Sequence, residues 1–197
     1  MVTIAQALAR ATSGATPVDE TAESLRFEAE LLLMNALGYS RASLLTWPER
    51  EVAPSALASF EQALSRRLAG EPIAYILGTK EFWDFELVVS PAVLIPRPET
   101  ELLVESALEI VAHREGIQHL LDLGTGSGAV AIALARAAER IRVIGTDLSC
   151  DALTLARENG GRLAGDNLGF VQGSWRCHEL CAAIAECCLL LWKSPKS

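Results

Sequence analysis

The sequence predicts an α/β chain in which an incomplete parallel sheet of nucleotide-binding type follows a small helical bundle and a β-hairpin. Three observations carry this. The first 70 residues place apolar side chains at helical spacing, residues 71–97 switch to β-type alternation, and from Ile117 onward apolar strands alternate with helices. The length of 197 residues suits one domain with a full core plus a small accessory one, and is too short for two large domains.

Each element has a local reason. Val2, Ile4, Ala5, Leu8 and Ala9 recur at helical spacing. Asp19 and Thr21 offer caps for a second helix with the stripe Leu25, Ala29, Leu32, Leu33 and Ala36, stopped by Gly38. Pro54 suits the first turn of a third helix, with Leu57, Phe60, Leu64 and Leu68 on one face and Gly70 as its stop. Thr79 to Trp83 and Phe85 to Val89 around Asp84 predict a hairpin, and Pro91, Pro96 and Pro98 punctuate its exit. Pro98, with Glu99, Thr100 and Glu101 in the first turn, opens a helix carrying Leu103, Ala107, Ile110 and Val111. Then come strand 117–123, a glycine loop, helix 129–138, strand 141–147, helix 151–158 and strand 168–172. This order means parallel strands joined by right-handed crossovers. The predicted boundaries are 1–70 for the helical domain, 71–97 for the hairpin linker, 98–175 for a partial cofactor domain and 176–197 for an atypical tail.

Charge excludes one class of partner. Lys and Arg number 17 against 25 Asp and Glu, for a net charge of −8. Residues 1–116 hold 9 basic and 17 acidic side chains and residues 117–197 hold 8 of each, so the excess lies in the first part. A nucleic-acid binder needs a basic face to displace condensed counterions, and none is visible. No apolar run reaches the roughly 20 residues that cross a bilayer, and the N-terminus has no basic leader pattern, so the expectation is a cytoplasmic protein with no membrane partner.

The chemistry-bearing segment is Asp122-Leu123-Gly124-Thr125-Gly126-Ser127-Gly128, where an apolar strand gives way to a helix. Glycines allow a sharp turn and close approach of a ligand, and the unpaired N–H groups of the next helix face the same space. Asp147 ends the following strand, 23 residues after Gly124, which sets its carboxylate beside the loop, within reach of ribose hydroxyls. A solvated helix cap is the bland alternative for Asp147. The spacing Gly124, Gly126, Ala129 also satisfies the dinucleotide fingerprint, which keeps a nicotinamide-dependent oxidoreductase open. The third glycine, Gly128, and the acid Asp122 favour S-adenosylmethionine: a carboxylate holds its cationic amine and would repel a pyrophosphate.

Further residues carry a resemblance. Gly78-Thr79-Lys80-Glu81-Phe82, the run Val89-Ser90-Pro91-Ala92-Val93-Leu94-Ile95-Pro96-Arg97-Pro98-Glu99-Thr100-Glu101, the glycine loop, Thr146-Asp147 and Gly173-Ser174-Trp175 resemble the HemK-type peptide chain release factor glutamine methyltransferases. The Leu94–Glu101 segment is the specific part. The resemblance implies a helical domain that recognises a release factor, a hairpin linker and a Rossmann-like methyltransferase sheet. It also implies methylation of the glutamine nitrogen in the Gly-Gly-Gln motif of class 1 release factors. By the same resemblance Asp122, Gly124, Thr125, Gly126, Ser127 and Gly128 surround the methionine and ribose part of the cofactor, Asp147 binds the ribose, and Trp175 lies by the adenine. The reaction is direct displacement at a sulfonium methyl by an amide nitrogen, a poor nucleophile that must be held in line with its N–H bonds accepted. The family does this with an Asn-Pro-Pro-Tyr loop after its fourth strand.

That loop is missing from the 197 residues, so no catalytic residue is assigned and the chain is expected to be inactive; the alternative is a non-catalytic module that binds a release factor. After Trp175 the chain reads Arg176-Cys177-His178-Glu179-Leu180-Cys181 and on to Ser197, with four of its five cysteines in the last 21 residues. A zinc site from Cys177, His178, Cys181 and Cys187 lacks paired Cys-x-x-Cys knuckles, and no metal is assigned. A helix with Leu180, Ile184, Cys187 and Leu191 on one face is a second reading. A frameshifted remnant after Trp175 is favoured, because Trp192-Lys193-Ser194-Pro195-Lys196, back-translated, permits Gly-Asn-Pro-Pro one base further on. The expected result is a sheet cut after its third strand. Elsewhere, Glu99 and Glu101 suit dipole partners better than pocket residues. The three histidines lack ligand spacing, Cys150 has no evident nucleophilic task, and Trp47, Phe82, Trp83 and Phe85 are expected to pack.

Overall fold

The computed structural model describes residues 2–13, 22–114, 116–173 and 188–192, and the chain divides into two compact units, Met1–Leu77 and Gly78–Ser197.

The first unit is helical. It contains α1 (Ile4–Thr12), α2 (Ala22–Leu37), α3 (Arg41–Thr46), α4 (Pro54–Leu68) and α5 (Ile73–Leu77). Thr3 and Gln6 cap α1 reciprocally, each side chain bonding the other's backbone N–H at 3.3 and 3.1 Å. Ile4, Ala7, Ala11, Ala29, Leu32, Leu33, Leu44, Val52 and Phe60 form one buried cluster. Glu30 lies buried beside it and is held by Arg41 at 2.9 Å and Arg26 at 3.5 Å. Left unpaired, a carboxylate there would be strongly destabilising. Two short helices were not expected. The α3 turn starts at Ser40, whose hydroxyl accepts the Ser43 N–H, while α5 occupies residues read as β-type, because five residues are too few to display a helical period.

The second unit opens with the hairpin β1 (Thr79–Phe82) and β2 (Phe85–Val88), paired antiparallel with Phe82 opposite Phe85. Phe82 and Phe85 are buried as expected, but Trp47 in the first unit and Trp83 here are substantially exposed. Trp83 occupies the turn at φ 59°, where its N–H donates to Glu101 Oε1 at 3.0 Å. Glu101 is thus a structural partner of the hairpin. A 3₁₀ turn at Pro98–Thr100 leads into α6 (Glu101–His113).

The sheet contains β3 (His119–Leu123), β4 (Arg142–Asp147), β5 (Leu168–Gln172) and β6 (Cys188–Trp192) in the order β5-β4-β3-β6, all parallel. The expectation of a sheet ending at its third strand is therefore corrected: Cys188–Trp192 pairs with β3, Trp192 opposite Leu123. The run Cys-Leu-Leu-Leu-Trp has the apolar character of a two-sided strand, and the free edge of β3 supplies the pairing groups. Helix α7 (Ala129–Ala137) is buried over its first seven residues and packs against α6 and α8 (Cys150–Leu163). Helix α8 runs five residues past its expected end, through Asn159-Gly160-Gly161, because Asn159 and Gly160 are buried against neighbouring elements.

Among the described residues no helix is long and apolar enough to cross a membrane, and no cluster of metal-binding side chains occurs. Cys177, His178, Cys181 and Cys187 lie outside the described residues, as does the start of the helix considered for that segment; its last stripe residue, Leu191, lies in strand β6, which corrects the helical reading there.

Candidate functional site

The site is built where β3 ends. Gly124, Gly126 and Gly128 have φ of 76°, 57° and 85°, conformations that side chains disfavour and that let the chain double back between Leu123 and α7. The start of this loop is fastened to the end of β4, with Gly124 N and Thr125 N both donating to Thr146 O at 2.9 and 2.8 Å. A carboxylate braces it on each side. The Thr125 hydroxyl donates to Asp122 Oδ2 at 2.7 Å, and Gly126 N donates to Asp147 Oδ2 at 2.9 Å. The other oxygen of Asp147 accepts the Ser149 N–H at 3.0 Å, which joins the loop to the first turn of α8.

Space around the glycines is uneven. A Cβ at Gly124 or Gly126 would meet nothing within 4 Å, whereas one at Gly128 would lie 3.1 Å from Ile132 Cδ1 and 3.2 Å from Phe170 Cζ. The Phe170 ring also stands 2.7 Å from a Cβ built on Gly145 and 2.8 Å from one built on Gly160. Three missing side chains, one each from the loop, β4 and α8, thus make the slot that receives this ring. The loop is closely packed on one side and has free space on the other, although the positive φ of Gly124 and Gly126 strains any side chain there too.

On the open side lies a small cavity of about 70 Å³, bounded by Leu94, Pro96 and Thr100 on one wall and by Asp122, the run from Gly124 to Ser127, Ala129 and Val130 on the other. Its lining holds one carboxylate and no cationic side chain. The Ser127 hydroxyl is buried there with no hydrogen-bond partner among the described residues, and α7 starts without a side-chain cap. First-turn N–H groups of a helix have no intrahelical acceptor. The enclosed volume matches a small polar group rather than a whole nucleoside, since drug-sized ligands fill roughly 300–1,000 Å³. A larger cavity, about 920 Å³, opens at the amino ends of β4 and β5 among Arg136, Arg140, Arg142, Asp166 and Asn167. Open parallel sheets hold ligands at the carboxyl ends of their strands, which selects the smaller cavity.

The donor and acceptor set fits a sulfonium amino-acid nucleoside. Asp122 offers a carboxylate to a cationic amine, the glycine backbone allows close approach, and half-buried Asp147 retains lone pairs for hydroxyls beyond the two it spends on backbone N–H groups. The structure brings together Asp122, Gly124, Thr125, Gly126, Ser127, Gly128 and Asp147. Trp175 lies outside the described residues. Two residues that shape the loop, Phe170 and Asn159, escaped the sequence reading; a polar residue preceding two glycines inside a helical pattern was the one signal for Asn159.

Comparison with known proteins gives a concordant result. Residues 6–78 match the PrmC N-terminal domain, and residues 116–181 match a methyltransferase domain. A release factor glutamine methyltransferase of Vibrio cholerae is 52% identical over 153 residues, covering 78% of this chain and 53% of that protein. Its counterpart in Aliivibrio fischeri is 48% identical over 156 residues, covering 79% and 54%. That of Coxiella burnetii is 43% identical over 180 residues, covering 91% and 63%. The chain spans a little over half the length of the curated relatives it matches.

Proposed function

Over the part of their length that it spans, the chain belongs to the release factor glutamine methyltransferase family, and from that premise we propose that its second unit holds S-adenosylmethionine at the glycine loop while its first unit engages a class 1 release factor. The observation that carries the cofactor half is the pair of carboxylates, Asp122 and Asp147, gripping one glycine loop from adjacent strands beside the buried Ser127 hydroxyl.

When bound, the cofactor supplies a methyl group on a sulfonium centre, electrophilic enough for an amide nitrogen to attack. The chain's own residues do the holding. Asp122 stabilises the amine of the methionine part, Asp147 accepts ribose hydroxyls, and the first-turn amides of α7 from Ala129 onward face the carboxylate end. Leu94 and Pro96 form the apolar wall that limits water around the sulfonium end.

Transfer needs more than this. The substrate nitrogen has to be aligned and its N–H bonds accepted, a task for carbonyl oxygens. Trp192 pairs opposite Leu123, so β6 ends level with the start of the glycine loop. There the sequence reads Lys193-Ser194-Pro195-Lys196 in place of Asn-Pro-Pro-Tyr. A lysine side chain only donates and cannot take an amide N–H bond. The 197 residues are therefore proposed to bind cofactor without methyl transfer.

Calorimetric titration with S-adenosylmethionine, S-adenosylhomocysteine and nicotinamide dinucleotides, beside a methyl-transfer assay on a class 1 release factor, tests each part. Uptake of the adenosyl ligands alone supports the cofactor reading, and preference for a dinucleotide overturns it. Capture of the release factor without turnover supports the partner half and the expected inactivity; measurable turnover refutes the latter.

A further inference from the structure

We propose that Asn159 is a positioning residue that ties the two walls of the cofactor cavity to each other, so that ligand affinity depends on a side chain that does not line the cavity. This deepens the cofactor reading and, in its affinity arm, rests on it. Asn159 lies in α8 with no solvent exposure. Its Nδ2 donates to Val88 O at 2.9 Å and to Ser127 O at 3.0 Å, while its Oδ1 accepts Val88 N at 2.8 Å and an Arg162 N–H at 3.3 Å. Both donors and both acceptor positions of the amide are thus used.

Each partner belongs to a wall. Val88 ends β2, and the chain continues through buried Val89 and Val93 to Leu94 and Pro96 on the first wall. Ser127 lies in the glycine loop on the second wall. The peptide between Ser127 and Gly128 is fixed at both ends, its carbonyl by Asn159 and its N–H by Thr125 O at 2.9 Å. That peptide sets the orientation of the Ser127 side chain and the entry into α7. Asp at this position would match the size yet turn oxygens toward the Val88 and Ser127 carbonyls; Leu would leave three buried backbone groups without partners, a costly state. Other anchors of the hairpin do not reach the loop. Glu101 holds Trp83, Arg136 holds Asp84 at 2.8 Å, and Arg162 holds Glu86 O at 3.2 Å.

The test is amide hydrogen exchange of the full 197-residue chain with and without S-adenosylhomocysteine, on the wild type, Asn159→Asp and, as a control that loosens the hairpin elsewhere, Glu101→Ala. Asn159→Asp is expected to accelerate exchange at Val88 and Gly128 together by at least tenfold with the β4 amides unchanged, and to weaken the ligand at least tenfold. Glu101→Ala should accelerate Trp83 without moving Gly128 or the affinity. Uniform acceleration across the second unit, or acceleration at Val88 with Gly128 and the affinity unmoved, would overturn the proposal. Should Asn159→Asp not fold, the wild type decides: ligand that slows Val88 exchange at least fivefold supports the tie, and bound ligand that leaves it unchanged refutes it. Should the wild type take up no adenosyl ligand, the cofactor reading fails, while joint acceleration at Val88 and Gly128 still supports the tie and its absence still refutes it.

Discussion

Gly160 and Gly161 are neighbours in α8, yet replacing each by alanine should move stability in opposite directions. In a helix interior alanine is favoured over glycine by about 0.8–1 kcal/mol. A Cβ at Gly161 would meet nothing within 4 Å, so Gly161→Ala should gain roughly that amount. A Cβ at Gly160 would lie 2.8 Å from Phe170 Cε2 and 3.2 Å from Leu168 Cδ2. The ring cannot retreat, because its other edges already abut the backbone of Gly145 and Gly128. Overpacking of this kind costs about 1–3 kcal/mol, which exceeds the helical gain, so the two variants should differ by about 1–3 kcal/mol. Urea unfolding followed by circular dichroism measures the difference, and amide exchange in α8 and β5 assigns it to the second unit, as a two-unit chain need not unfold in one transition. Adding Phe170→Leu to Gly160→Ala removes the obstructing ring atoms and should recover about 1–2 kcal/mol as a coupling term. If Gly160→Ala stabilises as much as Gly161→Ala, or shows no coupling to Phe170, the three-glycine slot is wrong, and with it the account of what holds the loop from behind.

Asp147→Ala should weaken S-adenosylhomocysteine by at least tenfold in calorimetry, since it removes a hydroxyl acceptor and frees the N–H groups of Gly126 and Ser149; Asn, which keeps one acceptor oxygen, should fall between. Glu101→Ala should lower the unfolding free energy by about 0.5–1 kcal/mol by releasing the Trp83 N–H, and Glu101→Gln by less, because its amide oxygen still accepts; denaturant midpoints at unchanged slope report both. The hydrogen bond from Arg66 holds the Glu71 carboxyl below its ordinary value of 4.5. The contribution of this pair is therefore present above that value and lost as pH falls through the folded-state pKa, and an NMR titration should show Glu71 returning toward 4.5 in Arg66→Ala.

The glycine loop and Asp147 were legible because their signal is local: a turn that needs positive φ, and an acid at the end of the next strand. The order of strands and helices through Gln172 was legible for the same reason, as period 2 and period 3.6 alternate over windows long enough to show. What escaped depends on contacts far apart in the chain. Asn159 meets Val88 across 71 residues and Ser127 across 32, so its one local signal, a polar residue before two glycines, reads as a helix end. The same contacts carry α8 through two glycines that propensity alone would make its end. Trp83 was expected to pack because it is aromatic, but the two-residue turn places it at φ 59° and a carboxylate from α6 holds it there.

Strand β6 separates two requirements that a sequence motif usually presents together. The free edge of β3 demands pairing groups, and any extended apolar segment can provide them, since strand formation reflects fit to a half-buried surface more than intrinsic preference. Cys188–Trp192 meets that demand with a run of leucines, and its register ends level with the start of the glycine loop. With β4 and β5 on one side of β3 and β6 on the other, the strand order reverses beside the loop, the position where open sheets take their ligands. Acceptors for a reacting amide are a stricter demand: they require particular oxygen atoms in the few residues after the strand, where Lys193-Ser194-Pro195-Lys196 supplies a lysine first. A displaced reading frame would produce this combination, because hydrophobic composition survives a shift of codon phase far more readily than a four-residue motif does. The nucleotide sequence around the codons for Trp175 and Arg176 decides it: an alternative frame that continues the family's sequence through an apolar run to Asn-Pro-Pro supports a displaced frame, and no such continuation in any nearby frame eliminates it.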